Sequence, residues 1–296
     1  MRIHYTHCPV CGSSTLENIL QAADHTVSGE KFQIVECKDC GLRFTQDVPD
    51  ESSIGPCYQS EKYISHTNTS KGLINSLYHW VRKKTLTRKR KLVQKATGVS
   101  TGKLLDIGAG PGAFLNEMKQ HGWETTGLEP DASARKLAKE LYNLDIQESS
   151  QLFKLPANSF HAITLWHVLE HVHDLQGYIR QVKLLLQDKG KLVIAVPNYT
   201  SVDASVYGES WAAYDVPRHL YHFSPHSIQT LMEKHGLKIT QYKPMWYDSF
   251  YIALLSSKYK NGSSNLFGAG WNGLRSNLKA AADVKRCSSV IYIISK

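Results

Sequence analysis

Two rhythms of apolar and polar positions divide the chain. In its second half, short apolar runs at 103–107, 123–128, 161–165 and 191–196 alternate with stretches of helical periodicity at 113–121, 132–141 and 175–187. That alternation is the signature of βαβ units laid side by side in a parallel sheet, and it predicts an α/β domain over 101–296. Ahead of it, Leu73, Leu77, Trp80 and Val81 recur at helical spacing and predict an amphipathic helix that runs on into Arg82-Lys83-Lys84 and Arg88-Lys89-Arg90-Lys91. Pro49, Pro56 and the polar cluster Asp50-Glu51-Ser52-Ser53 mark a linker, with Tyr58, Tyr63 and His66 after it, so 47–100 reads as linker plus basic helix. Further back, Phe32-Gln33-Ile34-Val35 alternates as one strand of a hairpin. Two stretches, 199–223 and 247–286, are not folded by these spacing rules.

The 296 residues, 42% of them hydrophobic, suffice for one large domain or a main domain with a small appendage, and they exclude a disordered chain. No apolar run approaches the roughly eighteen residues needed to cross a bilayer. The start, Met1-Arg2-Ile3-His4-Tyr5-Thr6-His7, lacks the apolar stretch of a signal peptide, so a cytoplasmic protein without a membrane span is expected. Lys and Arg exceed Asp and Glu by 35 to 26, a net charge of +9. Nine of the cations lie between Lys71 and Lys95 with no acid among them, which accounts for the whole excess. Such a segment is either a solvated helix face or a dock for an acidic carrier protein or RNA.

Four of the six cysteines form two pairs, Cys8-Pro-Val-Cys11-Gly12 and Cys37-Lys-Asp-Cys40-Gly41, while Cys57 and Cys287 stand alone. Paired Cys-x-x-Cys turns, each followed by a glycine that suits the turn, bring four thiolates around one tetrahedral zinc ion. Residues 1–46 are therefore read as a zinc-ribbon-like module. Four thiolates leave no open coordination position, so the zinc is structural and stands in for a core too small to fold alone. Cys57 and Cys287 read as buried small residues.

The first strand of the α/β domain ends in Leu105-Asp106-Ile107-Gly108-Ala109-Gly110-Pro111-Gly112. Gly108 and Gly110 let a ligand approach the backbone where a side chain would collide. The next strand ends at Leu128-Glu129, twenty-one residues after Gly108, where a carboxylate can accept both ribose hydroxyls of a nucleoside. The third glycine comes one residue early for a dinucleotide loop, and a proline sits where the loop would close over a pyrophosphate. The block Leu-Asp-Ile-Gly-Ala-Gly-Pro-Gly resembles motif I of class I S-adenosylmethionine-dependent methyltransferases, and Glu129 matches their ribose-binding acid. The resemblance continues through 160–171 and 191–198 and covers about two-thirds of the chain. It implies a Rossmann-like sheet of seven strands, mostly parallel, with 237–246 and 288–295 as the last two, paired antiparallel. It also implies Asp106 and Gly108 beside the methionine part of the cofactor, Leu128 and Glu129 beside adenosine, and Leu165, Trp166 and His167 beside the sulfonium. At 148–156 no Asp stands where relatives bind the adenine amino group, so the adenine reader is left open.

His167, Glu170 and His171 spell H-x-x-E-H, but after a buried strand rather than on a long helix, which argues against a zinc peptidase. Leu-Glu-His resembles the element of ubiquinone-type O-methyltransferases where an earlier Glu joins Glu and His on a divalent ion. Here the earlier position is His167, so either the pair fixes its loop by hydrogen bonds or it belongs to a softer metal site. The aperiodic 199–223 stretch holds Tyr207, Trp211, Tyr214, Asp215, Arg218, His219 and His222 and is expected to be a lid that lines the acceptor site. Ser224-Pro225 opens the following helix as cap and first residue. Removing a proton from an OH or CH acceptor suits histidine, and His219 is the expected general base with Asp215 as its orienting partner and His167 or His222 in reserve.

Three functions fit this reading. One is a methyltransferase acting on a hydroxyl or acidic carbon of a small molecule such as a natural product, lipid or quinone precursor, or nucleotide-linked sugar. The second is a zinc-module RNA methyltransferase, and the third a non-catalytic module that keeps only the fold. The presence of Asp106, both loop glycines and Glu129 disfavours the third.

Overall fold

The computed structural model of the chain describes residues 1–58, 73–262 and 266–296. Tyr63, His66 and Lys71 lie outside the described residues. Internal contacts divide the chain into two compact units, one drawing on 1–58, 169–176 and 195–292 and the other on 73–168, 177–194 and 293–296.

The chain begins with β1 (Arg2–Ile3), a hairpin of β2 (Leu16–Ala23) and β3 (Lys31–Cys37), then β4 (Arg43–Thr45) and β5 (Val48–Pro49), which pairs back onto β1. β2 and β3 run antiparallel, with Leu16 opposite Cys37 and Ala23 opposite Lys31. Asp24 closes their turn, because its short carboxylate reaches the amides of Thr26, Val27 and Ser28.

The second unit opens with α1 (Leu73–Thr97), the helix expected from the spacing of its apolar residues. The alternation then unfolds as β6 (Lys103–Ile107), α2 (Ala113–Gln120), β7 (Glu124–Leu128), α3 (Ala132–Tyr142), β8 (Phe160–Trp166), α4 (Leu175–Leu185) and β9 (Leu186–Pro197). β6 pairs in parallel with β7 on one side and β8 on the other. The basic helix is not wholly solvated: Arg90 forms a half-buried ion pair with Glu117 at 2.9 Å, and the Lys89 ammonium lies 4.2 Å above the Trp166 ring.

The remaining elements are α5 (Val202–Tyr207), β10 (Tyr221–His222), α6 (Pro225–Lys234), β11 (Lys238–Pro244), α7 (Asp248–Asn261), α8 (Leu266–Ala282) and β12 (Ser289–Ser295). The α6 start is as read from sequence: Ser224 caps it by accepting the Ser227 amide, with Pro225 as the first residue.

The main sheet has strand order β11-β12-β9-β8-β6-β7, mostly parallel and antiparallel at its end. Six strands rather than the expected seven are found among the described residues. Beyond β7 there is only an isolated parallel bridge, Leu128 to Gln147, because the segment turns at once into the 3-10 helix Ser149–Lys154.

The first unit shows that the ribbon and the 199–223 segment share one core. β10 adds to the ribbon as a fourth strand in the order β10-β4-β3-β2, with Tyr221 opposite Phe44. Phe32 and Ile34, on one face of β3 by the period of a strand, pack with Trp211, Tyr214 and Ile252. Arg43 of β4 bonds both Glu36 and the Tyr214 hydroxyl. The buried Asp203 of α5 accepts from Trp211 Nε1, Ser276 and Ser288 at 3.0, 2.8 and 2.7 Å, which satisfies a carboxylate that would otherwise be costly to enclose. The stretch without periodicity is thus ordered by tertiary contacts rather than by its own pattern.

Candidate functional site

In the ribbon, Sγ of Cys8 and Cys40 are 3.5 Å apart, as are those of Cys11 and Cys37, and all four lie within 4.8 Å of one another. Thiolates about 2.3 Å from a tetrahedral zinc stand about 3.8 Å from each other, so the donor set fits that ion. The knuckles are shaped by amides of Gly12 and Gly41 that return to the carbonyls of Cys8 and Cys37. Cys287 is fully buried and Cys57 partly so, and neither joins the cluster.

In the second unit, β6 carries Asp106 to its end and the chain turns through Gly108 and Gly110. The amides of Gly108 and Ala109 both donate to the Leu128 carbonyl, at 2.8 and 2.9 Å, fastening the loop to the end of β7. Gly108 sits at φ +70, and a Cβ there would come within 2.3 Å of Val168. Gly110, at φ +53, has open space where a Cβ would be, a cradle that a side chain would fill. The Glu129 carboxylate accepts the Gly110 amide at 2.8 Å and the Asp131 amide at 3.0 Å. Burial raises its pKa while those two amides pull it down, and the oxygens keep acceptor capacity for further donors.

Asp106 is 2% exposed and accepts the Thr164 hydroxyl at 2.5 Å. Burial lifts its pKa to about 7, against the Thr164 bond and the Lys89 ammonium. Leu128 and Leu165 are fully buried strand-end residues. Trp166 packs edge-on against Phe114 at 5.6 Å, and its buried indole N–H has no hydrogen-bond partner among the described residues. His167 follows at φ +58, a left-handed backbone that few side chains adopt and that recurs at functional loops. An open glycine cradle, an acceptor carboxylate at a strand end and an orphan indole donor together fit the nucleoside and amino-acid ends of S-adenosylmethionine. Lys89, read from sequence only as one cation in a run, is the added member of this group.

The first unit holds a separate histidine cluster. Glu170 and His171 lie on a short 3-10 turn, and their ligand atoms and those of His219 come within 4.8 Å of one another. The third member is His219; His167 is not in the group. His171 Nδ1 is 3.0 Å from the Arg218 carbonyl and His219 Nδ1 is 2.8 Å from the Ala213 carbonyl. A carbonyl can only accept, so both rings carry hydrogen on Nδ1, and in the neutral imidazole the lone pair is then on Nε2. The rings meet edge to face at 4.6 Å, and burial, aided by His219, pushes the His171 pKa down to about 4.

Two expectations about this cluster need correcting. Asp215 does not orient His219: the nearest approach is 4.0 Å, to Nε2, and the carboxylate is taken by the Arg218 guanidinium at 2.7–3.1 Å. The stronger cation three residues along wins the acid, and the Ala213 carbonyl orients the imidazole instead. His222 is enclosed in the ribbon sheet and burial drives its pKa well below the ordinary value. The Thr45 hydroxyl donates its only hydrogen to the His219 carbonyl at 2.7 Å, so His222 Nε2–H donates to Thr45 at 3.0 Å. His222 therefore supports the backbone of His219 and is not a second base.

A family model described as a methyltransferase domain matches residues 79–242. The ubiquinone biosynthesis O-methyltransferase of Xanthomonas axonopodis pv. citri is 27% identical over 160 residues, which are 49% of this chain and 66% of that protein. The mitochondrial ubiquinone biosynthesis O-methyltransferase of Rattus norvegicus is 25% identical over 165 residues, 50% of this chain and 48% of its own length. The chain thus spans between about half and two-thirds of the length of these curated relatives. A structure described as a sarcosine dimethylglycine methyltransferase from Galdieria sulphuraria superimposes with a TM-score of 0.50 at 16% identity, covering 70% of this chain and 85% of that one, and shares the fold. With the family match extending over more than half of its length, the chain belongs to the methyltransferase-domain family and has the class I S-adenosylmethionine-dependent methyltransferase fold.

Proposed function

We propose that the protein transfers a methyl group from S-adenosylmethionine to a hydroxyl or acidic carbon of a small molecule, and that a structural zinc ion holds its ribbon. The observation that carries this reading is the Glu129 carboxylate pinned against the Gly110 amide at the mouth of an open glycine loop. In this reading Glu129 accepts the ribose hydroxyls, the Gly108–Gly110 backbone lies along the ligand, Asp106 accepts the α-ammonium, Leu128 packs on adenosine, and Leu165, Trp166 and His167 line the sulfonium end. Lys89 answers the α-carboxylate. When bound, the cofactor supplies an electrophilic methyl carbon and keeps the electron pair of the broken C–S bond. His219 takes the acceptor's proton on Nε2, which the Ala213 bond leaves free as a lone pair.

The names of relatives such as the ubiquinone biosynthesis O-methyltransferases and a demethylmenaquinone methyltransferase support a small-molecule acceptor over RNA. Titration calorimetry with S-adenosylhomocysteine tests the core of the reading: binding is expected, and a silent titration overturns it. The grouping of Glu170, His171 and His219 favours one second reading, a divalent ion at two imidazoles and a carboxylate. Turnover abolished by a chelator and restored by a transition metal, with ribbon zinc retained, would select it.

A further inference from the structure

Helix α8 packs with its residues inside out. Its inner positions are small: Ser276 and Ala280 are fully buried, and Gly273 lies so close to Phe250 of α7 that a Cβ would stand 2.7 Å from the ring. Three of its large apolar residues face outward, Trp271, Leu274 and Leu278, exposed to 67, 44 and 64%. They are spaced i, i+3, i+7 and so form one stripe. A helix whose outer face meets only water shows the reverse arrangement. Phe250 and Tyr251 of α7, also exposed, extend the apolar surface.

The charge beside this stripe has one sign. Arg275 and Lys279 each follow a stripe leucine by one position and are exposed, as are Lys258 and Lys260 at the end of α7. From Ser249 to Ala282 the sequence contains no Asp or Glu. A second copy of the chain docked symmetrically through this face would set cations against cations, which is unfavourable. An anionic lipid surface matches both features: apolar side chains enter the headgroup boundary, where tryptophan is favoured, while Lys and Arg stems reach back to phosphates. No described helix is long and apolar enough to cross a membrane, so the contact would be peripheral.

We infer that the α7–α8 hairpin is a docking element for anionic membrane surfaces, with Trp271, Leu274 and Leu278 as the inserted stripe and Lys258, Lys260, Arg275 and Lys279 as headgroup contacts. The inference is independent of methyl transfer, since its readout is binding to lipid.

The test is cosedimentation of the full chain with vesicles of phosphatidylcholine alone or mixed equally with phosphatidylglycerol. Binding is expected to the mixed vesicles and to fall on the order of tenfold or more without the anionic lipid. Arg275→Glu with Lys279→Glu should weaken binding roughly 25-fold or more, given roughly fivefold for each of the two cations lost. Trp271→Ser with Leu278→Gln should do so at least tenfold. All four side chains point outward, so unchanged circular dichroism and S-adenosylhomocysteine affinity are expected of both variants. Absence of vesicle binding by the native chain overturns the inference, as does equal binding by native chain and variants. So does a concentration-dependent dimer that Trp271→Ser abolishes without any lipid binding.

Discussion

Glu129 and Gly110 are joined by a hydrogen bond of 2.8 Å that runs from the loop amide to the carboxylate. The bond ties the acid at the end of β7 to the middle of the glycine turn after β6, so one side chain shapes the loop and, in the proposed reading, also faces the ligand. Glutamine in its place turns one oxygen into an NH2 group, which cannot accept the Gly110 or Asp131 amide that the oxygen served. Glu129→Gln is expected to weaken S-adenosylhomocysteine binding roughly 10- to 100-fold, from the ~1.5–3 kcal/mol of hydrogen bonds to a charged group. Calorimetry reads this directly, and native affinity in the variant would remove Glu129 from the site.

Asp106 sets a pH dependence. Its native pKa is raised from 3.8 to about 7 by burial, so between those values the folded chain keeps a proton that the unfolded chain has released. For this group stability is therefore fully present below about pH 4 and declines as pH rises through 7. Ligand affinity should run the other way, because in the proposed reading it is the ionised Asp106 that accepts the cofactor's ammonium: S-adenosylhomocysteine binding is expected to tighten as pH passes 7. The Lys89 ammonium lowers the same pKa, so Lys89→Met should shift that rise to higher pH. Calorimetric titrations across pH 5 to 9 give both curves, and a flat native profile contradicts the assignment.

His219 is predicted to be needed for turnover but not for cofactor binding. His219→Ala should lower turnover by about 10²–10⁴, the usual contribution of a positioned base, with S-adenosylhomocysteine affinity unchanged. Thr45→Val removes the hydroxyl between His222 and the His219 carbonyl. It should lower kcat modestly with KM little altered, as displacement of a base would. Equal activity of His219→Ala would assign the proton to another group.

The glycine turn, the acid after β7 and the thiolate pairs were legible because each is a short-range pattern: spacing alone brings the groups together. His219 is proposed on residue type and its free Nε2, and the Asp215 partner expected for it is bound elsewhere. Asp215 lies four residues before it, yet the acid binds Arg218, since a guanidinium with several donors outcompetes an imidazole. Two-residue β10 has no period to detect, and its partner β4 is far away in the chain. Lys89 was hidden among other cations, because a cation over a tryptophan ring is a tertiary fact. The seventh strand was expected from the family pattern, and a single bridge at Gln147 is what remains of it.

The thiolate cluster predicts one zinc per chain by atomic emission. Cys37→Ser or a strong chelator should lower the melting temperature and also reduce turnover, because Phe32 and Ile34 of the hairpin share a core with Trp211 and Tyr214. A ribbon that served only as a separate appendage would lose its metal with turnover unchanged.

Arg218 offers the sharpest stability test. It is 1% exposed and donates to Asp24 at 3.0 Å, to Asp215 at 2.7 Å and to the Cys57 carbonyl at 2.8 Å. Burial opposes the charge on Asp24, but the Ser28 amide and the guanidinium outweigh it and hold that acid below the usual carboxylate range. Arg218→Met leaves Asp24 enclosed without its counter-charge, which costs about 3–5 kcal/mol when one partner of a buried pair is removed. Asp24→Asn by itself gives up an amide acceptor of the turn, so the double variant, Arg218→Met with Asp24→Asn, should lose less than the two single losses added together, since no unpaired charge then remains at Asp24. Denaturant unfolding of the single and double variants measures the coupling. Additive losses would mean that the hairpin turn and the 199–223 segment are held together by packing alone, with the ion pair contributing nothing of its own.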